Sequence, residues 1–317
     1  MADELAKAYR TVLVDCLGVG PDMNVLIVTD PQKRAVADRL LVEARGLGAE
    51  TALMEMSERR THGSEPPDMV AAAMLECDVF IAPTSKSMSH TEARHAACEK
   101  GARGATMPDI TEDMLVRTMS ADYEEVRRLS ALLADAITAG SEVRITSEQG
   151  TDVTISIEGR EGLADDGDLR AAGAFGNLPA GEGFVAPVEG RTNGRIVFDG
   201  SIWPIGKLSE PLVATIEDGY ATDFSGADAA RFRETLEPHG REAFAVAELG
   251  IGTNEKATLT GNVLEDEKIL GTIHVAFGDN HSFGGVIRVS SHQDGIVLHP
   301  RLAIDGKVLL EGGRLLV

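Results

Sequence analysis

The sequence predicts an α/β fold with two domains: a parallel-sheet α/β domain over residues 1–141, then a mostly β, α+β domain over residues 142–317. The first observation is length, because 317 residues exceed the usual domain size of about 100–200 residues. The second is that short apolar runs alternate with helical segments, which is typical of a parallel sheet with crossover helices. The third is a change to alternating apolar residues from Glu142 onward, in a glycine-rich segment.

The N-terminal elements follow from apolar runs and from the residues at their ends. The run Val25–Val28 is typical of a strand that is buried on both faces. Asp30 can cap the helix that follows it, with Pro31 at the first helical position. The predicted elements are a helix over 3–18, a strand over 25–28, a helix from 31 to about 46–48, a strand over 51–54, a helix over 67–75, a strand over 79–82, a helix over 89–99 and a strand over 105–107.

The longest predicted helix spans residues 120–139, where apolar residues from Val126 to Ile137 recur at three- and four-residue spacing. The period then changes to two in residues 143–145 and 153–157, with Gln149-Gly150 between them, which predicts a hairpin. We place the domain boundary immediately before this hairpin. Only one further helix, near residues 227–236, is expected in the second domain.

The charge of the sequence limits its partners. It has 51 acidic and 30 basic residues, a formal net charge of −21. Nucleic acid is a poor partner for such a surface, because phosphate contacts need clustered Lys and Arg. No run reaches the roughly 18 apolar residues of a membrane span, and the charged N-terminal residues lack a signal-peptide core. The three scattered cysteines lack a CxxC pair, so we expect reduced thiols in a cytoplasmic protein.

Five side chains in the second half are candidate metal ligands. They are Glu182, Glu248, His274, His292 and Asp294. Carboxylate oxygen and imidazole nitrogen are the ligand types of hard and borderline divalent metals. His274 lies in an alternating segment that predicts a strand, and His292 and Asp294, two positions apart, would share one face of a strand. Strands hold such ligands rigidly, as metal sites require.

Three carboxylates and two imidazoles are more ligands than one zinc ion usually takes from a protein. A catalytic zinc ion typically has three protein ligands and a water molecule. Five ligands, one of them a bridging carboxylate, fit two metals about 3.5–4 Å apart that together activate a water. The ligand set therefore predicts hydrolysis at a pair of divalent ions.

From about Asn177 to the C-terminus, the chain resembles the thermophilic-type metalloaminopeptidases, the aminopeptidase T family. The segments NLPAGEGFVAP, AELGIGTN, VLEDEKILGTIHVAFG and HQD carry this resemblance, and DMNVLIVTD is similar to that family's first strand. The family holds two divalent metals on two glutamates, two histidines and an aspartate. By its motifs these are Glu182, Glu248 as the bridging ligand, His274, His292 and Asp294. The resemblance implies a homodimeric enzyme with zinc, cobalt or manganese that removes N-terminal residues from short peptides.

One position departs from the pattern of this family. The family carries a tyrosine after the first metal histidine that stabilises the transition state, and the matching place here is His281. A histidine can donate a hydrogen bond to an oxyanion and can act as an acid or base near neutral pH. The predicted catalytic residues are therefore His281 and Glu248. A metal-binding relative that lost activity with the tyrosine is the non-enzymatic alternative.

The alternative enzyme prediction uses fewer of the ligands. The same broad fold family includes a ring-cleaving dihydroxypyridine dioxygenase with one iron(II) ion on two histidines and one carboxylate. His274, His292 and Asp294 can supply this set, and the substrate would be a small molecule. The prediction leaves Glu182 and Glu248 without a role at the metal.

Several other motifs carry weaker expectations. Glu189 is a candidate for contact with a metal ligand or with a substrate amine, and the charge run Glu265–Glu267 is predicted to be a solvated turn. The remaining histidines are expected to be structural. Gly18-Val-Gly20 precedes the first strand, whereas a dinucleotide fingerprint follows it, so no nucleotide site is predicted.

The charge also yields a prediction about salt. Among the 30 basic residues only 8 are Lys, and high acidity with little Lys resembles proteins from salt-loving organisms. We expect the melting temperature to rise from dilute buffer to about 1 M KCl, where the screening length falls to about 3 Å and self-repulsion weakens. Differential scanning calorimetry across a KCl series measures this, and an unchanged melting temperature in dilute buffer would contradict it.

Overall fold

The computed structural model of the protein describes residues 2–316. Its α-helices are α1 (Ala2–Arg10), α2 (Arg34–Gly46), α3 (Asp68–Met74), α4 (Glu92–Glu99), α5 (Glu112–Thr118), α6 (Tyr123–Ala139), α7 (Ala229–Leu236) and α8 (Val263–Asp266). Its strands are β1 (Asn24–Thr29), β2 (Glu50–Glu55), β3 (Val79–Ala82), β4 (Arg103–Thr106), β5 (Glu142–Thr146), β6 (Asp152–Ser156), β7 (Leu163–Asp165), β8 (Phe175–Asn177), β9 (Glu182–Val185), β10 (Thr192–Phe198), β11 (Ser201–Ile202), β12 (Gly206–Lys207), β13 (Leu212–Glu217), β14 (Tyr220–Ser225), β15 (Val246–Gly252), β16 (Ile273–Gly278), β17 (His292–Val297), β18 (Arg301–Ile304), β19 (Lys307–Glu311) and β20 (Arg314–Leu315). Other helical turns are a π-helix at Thr11–Cys16 and 3₁₀ turns at Glu237–His239, Arg241–Phe244 and His281–Phe283.

The chain forms two compact units that are interleaved along the sequence. The first comprises the chain up to Tyr123 together with Gly167–Ala180. The second comprises Glu124–Asp166 together with the chain from Gly181 onward. The predicted division of the chain between residues 141 and 142 stays a prediction.

The first unit contains a five-stranded parallel sheet with the order β2-β1-β3-β4-β8. Strand β3 is buried throughout and β1 is buried after its first residue, as their apolar runs predict. The fifth strand, β8, is absent from the sequence-based assignment. It is only three residues long and has no apolar run, so nothing local identifies it. The predicted parallel-sheet class of this half is confirmed.

Threonine side chains determine where two helices of this unit begin. The side chain of Thr91 accepts a hydrogen bond from the backbone N–H of Arg94 and caps α4. The helix therefore begins at Glu92 instead of at the predicted residue 89. Thr111 accepts a bond from the N–H of Met114 at the start of α5, a short helix that the sequence pattern does not predict. The predicted helix over 3–18 is α1 followed by the π-helical segment.

The structure bears on the expectations about the cysteines and about membrane spans. In the part of the chain that the structure describes, Cys16, Cys77 and Cys98 are not joined by disulfide bonds. Within residues 2–316, every helix is too short or too polar to traverse a lipid bilayer.

The second unit contains two antiparallel sheets. One has eight strands in the order β14-β13-β10-β6-β5-β18-β19-β20, and the other has seven in the order β12-β11-β17-β16-β15-β9-β7. Strands β5 and β6 form the predicted hairpin, in which Val143 pairs with Ile155. Helix α6 contributes Leu133 and Ile137 to the core that both sheets share. The predicted mostly β class of this half is confirmed.

Alternation along the strands gives the seven-stranded sheet one apolar face and one polar face. Leu249, Val275 and Phe277 point into the shared core and are fully buried. Because neighbours along a strand point to opposite faces, Glu248 and His274 lie on the other face. The core therefore fixes the strands from which the candidate ligands project.

Phe277 is central to this core and provides a test of the fold. Its ring centroid lies 6.0 Å from Phe198, 5.7 Å from Phe224 and 6.1 Å from Phe232. We expect Phe277→Ala to lower the free energy of unfolding by about 3–5 kcal/mol, because it leaves a cavity among these rings. Leu132→Ala on the exposed side of α6 is the control, with an expected loss of about 0.5 kcal/mol or less. Urea unfolding measures both, and equal losses would contradict the assignment of the core.

Candidate metal centre

The five predicted ligands lie on four adjacent strands of the seven-stranded sheet. Glu182 begins β9, Glu248 lies in β15, His274 lies in β16, and His292 and Asp294 lie in β17. The strand order β17-β16-β15-β9 makes these strands consecutive neighbours. The alternation of side chains and the strand register direct all five residues to the polar face.

A small residue lies opposite each of these side chains on the neighbouring strand. The register pairs are Glu182 with Gly252, His274 with Gly250, Glu248 and Asp294 with Ala276, and His292 with Gly278. At Gly250 an added Cβ would lie 2.1 Å from Nε2 of His274, so the imidazole lies directly over the glycine. The glycine-rich sequence around the ligands therefore has a packing reason, since larger residues would fill the space that the ligands occupy.

The imidazoles and carboxylates converge on Glu248. Its Oε1 lies 3.3 Å from Nε2 of His274, and its Oε2 lies 3.2 Å from Nε2 of His292. Nε2 of His292 is also 3.4 Å from Oδ1 of Asp294, and Nε2 of His274 is 3.2 Å from Oε2 of Glu182. Two ligands that each lie about 2.1 Å from one ion are roughly 3.0–3.4 Å apart, so these separations fit ligands around a shared cation.

The ligand atoms form three overlapping groups, and within each group all atoms lie within 4.8 Å of one another. The groups are Glu182 with Glu248 and His274, Glu248 with His292 and Asp294, and Glu267 with His274 and Asp294. Every predicted ligand belongs to at least one group, and Glu267 is an additional member. The structure therefore brings the five predicted residues together, while their action as ligands stays a prediction.

The hydrogen bond of the His292 imidazole and the buried carboxylate of Glu182 both fit metal binding. Nδ1 of His292 lies 2.8 Å from the backbone carbonyl oxygen of Asp279, and because a carbonyl only accepts, this nitrogen carries the proton. Nε2 of His292 is then free to bind a cation, as in many metal sites. Among residues 2–316, Oε2 of Glu182 is buried and forms no hydrogen bond, although Nε2 of His274 lies 3.2 Å away. A buried carboxylate oxygen without a hydrogen bond is unfavourable unless a cation lies beside it, so the donor set fits a metal ion.

The predicted solvated turn at Glu265–Glu267 is wrong, since Glu265 and Asp266 are fully buried. Glu265 accepts hydrogen bonds from Thr258, and Asp266 accepts from the N–H of Gly261 and the hydroxyl of Ser201. These bonds satisfy both carboxylates inside the fold. A weak signal was available in the sequence, because Val263-Leu264 and Ile269-Leu270 enclose the charged residues 265–268.

Lys268, which follows this run, is a residue that the sequence analysis does not single out. Its side chain is 1% exposed, and its ammonium group lies 2.5 Å from Oε1 of Glu182, 2.9 Å from Oε1 of Glu267 and 3.1 Å from Oδ2 of Asp165. Burial alone would lower the pKa of Lys268, but the three carboxylates raise that pKa well above its usual value. Lys268 is therefore a permanent positive charge beside the candidate ligands.

The electrostatic potential of the site favours cations. Burial disfavours charge on His274, but Glu182 and the bond to Glu248 outweigh burial and raise the pKa of His274 to about 9. Burial opposes ionisation of Glu248 as well, yet the contacts with His274 and His292 hold the pKa of Glu248 well below its usual range. Positive charge is thus stabilised at this face whether it is a proton on imidazole or a metal ion.

The predicted catalytic residue His281 lies in the loop between β16 and β17. Its side chain is exposed, its Nε2 contacts Arg288, and it belongs to none of the three ligand groups. Its role toward an oxyanion stays a prediction. Glu189 binds the same loop, because its carboxylate accepts hydrogen bonds from Nδ2 of Asn280 at 3.0 Å and from the N–H of Val286 at 2.8 Å.

Solved structures resemble this fold at low sequence identity. 2,5-Dihydroxypyridine dioxygenase from Pseudomonas putida KT2440 superposes with a TM-score of 0.85 at 17% identity, over 99% of this chain and 97% of that one. Wild-type AmpT from Thermus thermophilus superposes with a TM-score of 0.75 at 17% identity, over 100% of both chains. Among curated protein sequences, none matches the chain.

The sequence itself also matches the model of a protein family. The model of NicX, 2,5-dihydroxypyridine 5,6-dioxygenase, matches residues 4–317. The chain belongs to the NicX family. It is a metal-dependent enzyme with the fold that NicX and AmpT share. The predicted resemblance to aminopeptidase T is confirmed for the fold, whereas the family is the one that the sequence analysis names as its alternative.

Gly250 allows the geometry of this centre to be tested. We expect Gly250→Ala to displace the imidazole of His274, because the added methyl group would overlap the ring. Metal affinity should fall by about 10- to 100-fold or more, the range for disturbed ligand support. Gly46→Ala in α2 is the matched control, since an added Cβ there meets nothing within 4 Å. Isothermal titration with Mn²⁺ measures both, and equal affinities would contradict this geometry.

Proposed function

We propose that this protein is an iron-dependent dioxygenase that cleaves the ring of a dihydroxylated pyridine. The observation that supports this function most is the convergence of two imidazoles and several carboxylates on one sheet face, in a chain of the NicX family. The substrate would be a small aromatic molecule of the 2,5-dihydroxypyridine type. The reaction would break the bond between ring carbons 5 and 6 and add both atoms of O₂ to the product.

His274, His292 and Asp294 are the residues that would hold the iron. Two histidines and one carboxylate are the ligand set of mononuclear non-haem iron oxygenases. Bound iron(II) would supply the one-electron chemistry that lets O₂ react with an electron-rich ring. Glu248 lies 3.2–3.3 Å from the Nε2 atoms of both imidazoles, so its carboxylate would lie beside the same ion and balance part of its positive charge.

Aromatic side chains beside His292 support an aromatic substrate. The ring centroid of Phe283 lies 5.9 Å from that of His292 and 5.8 Å from that of Phe184. Both phenylalanines are half-buried, so part of each ring remains accessible. A planar pyridine ring can pack against such faces and edges, whereas a peptide backbone gains less from them. The two rings would therefore orient the substrate against the metal ligands.

A second candidate is the two-metal aminopeptidase, and one observation favours it. The two oxygens of Glu248 contact different imidazoles, which is the pattern of a bridging carboxylate. Against it, Oε1 of Glu182 lies 2.5 Å from the Lys268 ammonium, so one oxygen of this proposed ligand is already occupied by a cation. We therefore rank the dioxygenase first.

An oxygen-uptake assay distinguishes the two functions. We expect the protein reconstituted anaerobically with iron(II) to consume one O₂ for each 2,5-dihydroxypyridine lost. His292→Gln and Asp294→Asn should each lower kcat/KM by more than about 100-fold, because each removes a ligand atom. An oxygen electrode and the absorbance of the substrate measure the two consumptions.

His95→Gln is the matched control, because His95 is an exposed histidine on α4 outside the three ligand groups. This variant should keep the parent rate. Hydrolysis of aminoacyl p-nitroanilides by the zinc, cobalt or manganese form, together with no O₂ uptake by the iron form, would reject the dioxygenase. Glu248→Gln would then have to abolish that hydrolysis for the aminopeptidase to be accepted.

A further inference from the structure

Lys268 is a cation enclosed by carboxylates at the border of the metal centre. Asp165, Glu182 and Glu267 each direct one oxygen to its ammonium group, at 3.1, 2.5 and 2.9 Å. These carboxylates are 7–13% exposed and the lysine side chain is 1% exposed, so water does little to screen the contacts. An ammonium group inside a protein is stable only with such partners, and the partners equally need the ammonium.

Two of these three carboxylates also belong to the candidate ligand groups. Glu182 directs Oε1 to Lys268 and Oε2 to Nε2 of His274, 3.2 Å away. Glu267 contacts Lys268 and also groups with His274 and Asp294. The two oxygens of Glu182 therefore connect the ammonium group to the imidazole, as a bridging carboxylate connects two metal ions.

We propose that Lys268 takes the place of a second metal ion and thereby limits this centre to one divalent cation. Three acidic side chains around one cation form the environment in which a hard divalent ion binds, and here an ammonium group already lies between them and offsets one negative charge. A second divalent ion at Glu182 and Glu267 would have to displace or approach this fixed positive charge, which opposes its binding. The inference rests on the proposed one-iron function and names the residue that fixes the metal number.

The number of metal ions per chain distinguishes this role from a merely structural ion pair. If Lys268 only supports the fold, its removal lowers the melting temperature and leaves the metal content at one. If it replaces an ion, its removal frees Glu182 and Glu267 for a second cation. Metal content is also independent of the reaction, so a failure of the dioxygenase assay would leave this test unaffected.

The experiment loads the full-length protein with Mn²⁺, or separately with Zn²⁺, after removal of metal with EDTA. Unbound ions are removed by gel filtration, and metal per chain is measured by plasma mass spectrometry. We expect one ion per chain for the parent protein, two for Lys268→Met and one for Lys268→Arg, which keeps the positive charge. The melting temperature of Lys268→Met should rise further between one and two equivalents of metal, whereas that of the parent should not.

Two results would overturn the proposal: two ions per chain in the parent protein, or one ion per chain in a folded Lys268→Met variant. Should Lys268→Met fail to fold, the double variant Lys268→Met with Asp165→Asn replaces it, because it removes one of the carboxylates left without a partner. A second ion in this double variant supports the proposal and a single ion rejects it. Two ions in the parent protein would reject the proposal whatever either variant shows.

Discussion

Burial of several carboxylates at one face of a sheet is the constraint on which the second unit depends. Glu182, Glu248 and Asp294 are each less than a tenth exposed. An ionised carboxylate removed from water is unfavourable by several kcal/mol unless other groups compensate its charge. Here two imidazoles and one buried ammonium approach these carboxylates within hydrogen-bonding or ion-pairing distance. The polar face is thus stable only as a set, with the positive groups balancing the negative ones.

The other face of the same strands is apolar. Leu249, Val275 and Phe277 alternate with the charged residues and pack in an apolar core that anchors the sheet. Small residues opposite each ligand let the polar groups approach one another across the strands, and Gly250 beneath His274 is the clearest instance. A β-sheet suits this purpose, because one register error would exchange the two faces and bury the ligands among phenylalanines. The precision of the centre therefore follows from the packing of the core.

Much of the fold and of the candidate site could be predicted from the sequence, because the relevant signals lie in short segments. The parallel-sheet strands and the hairpin follow from apolar periodicity, and the five converging residues follow from ligand chemistry and family resemblance. What could not be predicted depends on distant contacts. Glu265 and Asp266 are buried only because Thr258, Gly261 and Ser201 satisfy them, so their charge alone suggests a solvated turn. Strand β8 likewise forms only because it pairs with β4, which lies much earlier in the chain.

The resemblance to two kinds of enzyme has a physical explanation in this centre. A sheet face that gathers imidazoles and carboxylates can bind one or two ions, and the fold alone does not choose between them. The choice must come from groups that change the local charge or shape the space above the ions. Lys268 adds a fixed positive charge against Glu182, and Phe283 adds an aromatic ring against His292. Because a positive charge discourages a second cation and an aromatic ring favours a planar substrate, both features act in the direction of one ion and a ring-shaped ligand.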